Sequence, residues 1–100
     1  MFVIVHHQLT DPPAALARGK RLMAGEGAPV GVRVLQFLPS RDGDVVTCLW
    51  QAGAVASVQT YVDDTLGAAS INSCYEVDAE HAFADDLPQL NRSPAPGLWV

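Results

Sequence analysis

The sequence predicts one α+β domain: an antiparallel four-stranded sheet, strand order 4-1-3-2, with two helices on one face. Three observations predict it. β-Branched runs and amphipathic stretches follow one another as strand, helix, strand, strand, helix, strand. Asp42-Gly43 joins the two middle strands as a hairpin turn. One hundred residues hold one core and are too few to split into two. This order leaves one sheet face without a helix, and the polar cluster His6-His7-Gln8 closes the first strand.

Residues 2–8 (FVIVHHQ) are rich in β-branched side chains and read as the first strand. Asp11 is a suitable N-cap and Pro12 suits the first helical position. The helix that follows carries Ala15, Gly19, Leu22 and Met23 on one face, and Gly25 and Gly27 end it. Residues 30–38 (VGVRVLQFL) form the second strand and residues 45–52 (VVTCLWQA) the third. Val55, Val58, Val62 and Leu66 recur at helical spacing over residues 53–66, and Gly67 stops that helix. Residues 71–78 (INSCYEVD) are the fourth strand, and a short helix is expected over 80–87. Residues 1–87 make up the domain, and 88–100 form a Pro-rich C-terminal tail ending in Leu98-Trp99-Val100. Two readings of Trp99 stay open: docked on a partner subunit, or frayed.

An apolar fraction of 49% with 17% charged residues is that of a globular chain. No apolar run approaches the roughly 18 residues that cross a bilayer. The first strand lacks the basic start and length of a leader peptide, so a cytoplasmic protein is expected. A net charge of -5 with only six Lys and Arg gives no grip on nucleic-acid phosphates or anionic membranes. From net charge, a cation or a neutral organic molecule is the expected partner. Cys48 and Cys74 fall on strands two steps apart, about 9.6 Å. A disulfide needs Cα atoms within about 7 Å, so both are expected as free thiols.

Strands 1 and 3 are expected to run parallel, which would bring His6 and His7 beside Gln51. An antiparallel fourth strand adds Asn72, and an antiparallel second strand adds Arg33. His6 and His7 point to opposite faces. Val3 and Val5 pack under the helices, so His6 is expected on the open face and is the candidate catalytic residue. Its alternatives are a metal ligand, a proton acceptor, a ligand hydrogen-bonder, or a satisfied core or interface histidine. His6, Gln51 and Asn72 offer one good nitrogen donor, too few for a metal within one protomer. Two protomers would supply two sets, with Glu76 or Cys74 added. Asp78, Glu80 and His81 are ligand-type residues close in sequence that read first as the start of a surface helix capped by Asp78, and Trp50 and Tyr75 read as core aromatics, with pocket lining as the alternative. No Gly-rich phosphate loop and no Ser-His-Asp arrangement is legible.

The βαββαβ order followed by a short extension resembles the dimeric α+β barrel proteins of the ferredoxin-like superfold. The segment Cys48-Leu49-Trp50-Gln51-Ala52, followed at once by an amphipathic helix, is similar to a small uncharacterised family. That family carries a Cys-x-Tyr-Glu-Ala-like third strand, and some members are associated with nickel. The resemblance implies two sheets packed face to face around a pocket. It also implies that the polar barrel positions are His6, Gln36 and Gln51 here. Both carboxylates of the family pattern are replaced, which favours an organic ligand over a hard cation or nickel.

The expectation is therefore a homodimer, because an open face carrying Phe2, Ile4 and Leu49 is too apolar for a stable monomer. Three functions follow from it. The first is small-ligand or metal binding in the barrel, through His6, Gln36, Gln51, Asn72 and Arg33. The second is a cofactor-independent monooxygenase or isomerase with His6 as base and Gln51 and Asn72 orienting a substrate oxygen. The third is a structural or partner-binding module without a site. The residues name no cofactor and no reaction.

Overall fold

The computed structural model describes residues 1–85 and 87–93. The elements are β1 (Phe2–Leu9), α1 (Pro12–Ala24), β2 (Arg33–Pro39), β3 (Val45–Gln51), α2 (Val55–Leu66), a 3-10 turn (Gly67–Ala69) and β4 (Ser70–Glu76). The strands form one sheet in the order β2-β3-β1-β4, which is 4-1-3-2 counted from the other edge. The result is an α+β domain with a four-stranded antiparallel sheet and two helices, consistent with a ferredoxin-like arrangement. Trp99 lies outside the described residues.

Local signals account for the elements. Asp11 accepts from the Ala14 N–H at 3.3 Å, and Pro12 opens α1. Gly25, at φ +74°, closes the helix in the left-handed conformation. At the end of α2, Arg18 donates from Nη1 to the Leu66 carbonyl at 2.8 Å. Gly67 makes room for that contact, since a Cβ there would lie 3.3 Å from the guanidinium nitrogen, at φ +56°. In the β2–β3 turn, Ser40 donates from Oγ to Asp42 at 2.8 Å and accepts from the Val45 N–H at 3.1 Å.

One directional expectation is overturned. β1 and β3 are antiparallel, with Phe2 opposite Gln51 and His7 opposite Val46. The helix crossover makes β1 parallel to β2, and the hairpin reverses the chain into β3, so β3 runs against both. Gln51 therefore lies at the far end of the sheet from His6 and His7. The expected helix over 80–87 does not form among the described residues. Asp78 accepts from the Glu80, His81 and Ala82 N–H groups, and the chain then leaves the turn. Phe83 is 91% exposed, so no apolar contact holds a longer helix there.

The core lies between the sheet and both helices. Val3, Val5, Val46, Cys48 and Trp50 meet Ala15 and Leu22 of α1 and Val58, Val62 and Leu66 of α2. Trp50 stands edge-on to Tyr61, centroids 6.0 Å apart. Trp50 is thus the expected core aromatic, whereas Tyr75 is 58% exposed on the other face.

Both edges of the sheet are blunted. β2 carries a bulge between Val34 and Gln36 and ends in Pro39. On β4, the bonds Thr10 N–H to Ala69 C=O and Val77 N–H to Phe2 C=O fix the alternation. That alternation turns the backbone groups of Ser70, Asn72, Cys74 and Glu76 outward. Gln59 reaches from α2 and donates to the outward Asn72 carbonyl at 2.9 Å, occupying the middle of that edge.

Candidate functional site on the open sheet face

Strand alternation assigns every side chain to one of two faces. Val3, Val5, His7 and Leu9 are buried under the helices, so Phe2, Ile4, His6 and Gln8 take the open face. Cross-strand partners share a face, which places Arg33, Gln36, Leu38, Thr47, Leu49, Gln51, Ile71, Ser73 and Tyr75 there as well. The uncovered surface mixes polar side chains with exposed large apolar ones. Ile71 is 63% exposed, Tyr75 58%, and Phe2 and Leu38 each 38%.

Four of the five expected site residues share this face, in three rows. Arg33 lies opposite Gln51, which lies opposite Phe2. Gln36 lies opposite Leu49, which lies opposite Ile4, with Tyr75 beyond. His6 lies between Thr47 and Ser73. His6 and the Gln51 row are four residues apart along β1, about 13 Å at roughly 3.3 Å per residue. The open-face cluster is therefore spread along the sheet rather than gathered at one end. His6 is exposed and makes no side-chain hydrogen bond to a described residue.

Asn72 is the exception, because it turns toward the helices and pairs with His7 rather than His6. His7 donates from Nδ1 to Asn72 Oδ1 at 2.6 Å, and Ser70 Oγ donates to the same oxygen at 2.6 Å. Asn72 Nδ2 passes the chain on to Asp63 at 2.9 Å, where Gln59 Nε2 also donates at 3.0 Å. These donors and acceptors hold the His7 proton on Nδ1 and leave Nε2 as the bare nitrogen. Burial dominates the ring's titration and lowers its pKa from 6.5, against the Asn72 bond that raises it. Sequence reasoning missed this network. The signal for His7 was present in its parity with Val3 and Val5. None marked Asn72, because residues 71–73 alternate without a clear apolar face.

The other chemistry-bearing groups stay apart from the open face. A cavity of about 30 Å³ lies under α1, lined by His7, Cys48, Phe37 and Met23 among apolar neighbours. A shallow cleft of about 800 Å³ runs beside α2, past Arg21, Glu26, Thr60 and Asp64. Cys48 and Cys74 are free thiols on either side of Val5. Burial pushes Cys48 up to about 12 and, with Asp63 nearby, Cys74 up to about 11, so neither is a ready thiolate. Asp78, Glu80 and His81 bring their ligand atoms within 4.8 Å of one another, all exposed, with His81 Nδ1 2.8 Å from Asp78. No helix among the described residues is long and apolar enough to cross a membrane. Comparison with protein-family models, curated proteins and solved structures finds no match to this chain.

Proposed function

We propose that the chain is a cytoplasmic homodimer whose two open sheet faces meet about a two-fold axis and enclose a small-ligand pocket. His6, Gln36, Gln51 and Arg33 supply its polar groups. The observation that carries this reading is the one-sided sheet, with helices covering one face and Ile71, Tyr75, Phe2 and Leu38 exposed on the other. Four strands of seven or eight residues frame roughly 19 by 23 Å, on the order of 400 Å². Large apolar side chains exposed together on a face that no helix covers mark an interaction surface. The blunted edges favour a partner on the face over one added to the sheet. A second copy suits the face because its described strand positions carry a single formal charge, Arg33 at the end of the edge strand β2, so two faces meet with little like-charge opposition.

Sedimentation equilibrium tests the reading. The expected result is twice the chain mass, with Ile71→Lys reducing it to the single chain. Ile71 is 63% exposed, so its replacement leaves the fold of each protomer intact. A wild-type chain that sediments as a monomer at all concentrations overturns the proposal.

A further inference from the structure

We infer that the open-face site takes an organic anion with a flat apolar body, of the aryl carboxylate class, an inference that rests on the two-fold reading above. The carrying observation is a charge segregation. The chain has eleven Asp and Glu against six Lys and Arg, yet none of the acids occupies an open-face strand position. Asp44 precedes β3, Asp78 follows β4, and Glu76 shares the helix-side parity of Asn72. The formal charge of the face is the guanidinium of Arg33, beside the amide of Gln51. His6 adds an imidazole one sheet region away.

Two consequences follow. A cation finds no carboxylate and no thiolate at the described strand positions of this face, and one imidazole per protomer is a thin donor set for a metal. Closure of two faces instead partly desolvates Arg33 of each protomer, with no carboxylate at the described strand positions of the face to pair with it. A carboxylate is the planar two-oxygen group that a guanidinium binds in parallel bonds. Ile4, Leu49 and Tyr75 offer the apolar surface for the rest of the molecule. Net charge pointed toward a cation as partner, and the placement of the acids reverses that preference.

The test uses the full chain, its oligomeric state fixed by sedimentation, and calorimetric titration with 2-naphthoate, neutral 2-naphthalenemethanol and Ni²⁺. A dimer is expected to bind 2-naphthoate about tenfold more tightly than the alcohol, the scale of one charge-assisted contact. Added salt should shrink that preference. Arg33→Gln should erase it. Gln51→Glu, which keeps side-chain shape and sets a carboxylate beside Arg33, should erase it too if Arg33→Gln disturbs assembly. A dimer that binds the alcohol equally well, binds Ni²⁺ instead, or binds none of the three overturns the ligand class and leaves the two-fold contact standing. A monomer overturns the reading beneath it.

Discussion

His6 and His7 are neighbours in sequence and opposites in structure. His7 is 3% exposed, fixed by Asn72 and depressed in pKa by burial. His6 is exposed on a face that no helix covers. One residue of register separates a histidine that belongs to the fold from one free for a ligand or partner. The same contrast divides the sheet. The helix face is closed, its polar groups chained from Ser70 through Asn72 to Asp63. The open face mixes exposed apolar side chains with amides, hydroxyls and a guanidinium. Substitutions on the first should read as fold stability, and on the second as assembly and binding.

The largest effect is expected at Trp50, 1% exposed in the closed face. Trp50→Ala should cost about 3–5 kcal/mol in urea unfolding. Leu38→Ala on the open face, with its side chain 38% exposed, should cost well under half of that at concentrations where the chain is monomeric. Equal losses at the two sites would break the distinction between the faces. Next comes the polar chain. Asn72→Ala leaves the His7 Nδ1–H and Ser70 hydroxyl without their shared acceptor, at a cost of about 1–3 kcal/mol.

A pH dependence sharpens the histidine contrast. The folded pKa of His7 lies below the unfolded 6.5, so folding favours the neutral ring. Its contribution is complete above pH 6.5 and is lost as pH falls through the lower folded value. Urea stability of the wild type should therefore fall on acidification more steeply than that of His7→Leu. The direction of that difference checks the assignment, since both chains share the same carboxylates. A wild type and variant with parallel acid limbs would place His7 outside the closed core.

Much of the fold was legible because its signals are local. Asp11-Pro12 opens a helix, Gly25 closes it, and Asp42-Gly43 turns a hairpin, each through chemistry within a few residues. The face of His6 was legible for the same reason, through its alternation with Val3 and Val5. Strand direction was harder. The crossover rule relates β1 to β2 and β3 to β4, and the β1–β3 relation emerges only when both are combined with the hairpin. The reversal moved Gln51 some 13 Å from His6, by roughly 3.3 Å per residue, and dispersed the expected cluster. Asn72 was misplaced for another reason. Its flanking residues Ile71 and Ser73 do not separate by polarity, and its partners Ser70, Asp63 and His7 come from three elements. The exposed Tyr75 has no signal distinguishing it from Trp50, since both are aromatic residues within strands.

The smallest expected effect on stability tests why a partner should choose the face. Gln59 donates to Asp63 and to the outward carbonyl of Asn72, so it closes the middle of the β4 edge from α2. β2 is protected independently by its bulge and Pro39. Gln59→Ala removes the β4 protection alone. The lost bonds at this half-exposed site should cost about 0.5–1.5 kcal/mol. The more telling result is a change in association, because an unpaired strand without Pro or Lys is a template for further pairing. Light scattering should show the variant forming larger species than the wild type at matched concentration. If Gln59→Ala associates no more than the wild type, the edge is protected by something other than Gln59, and the preference for the open face rests on its exposed apolar side chains and low formal charge alone.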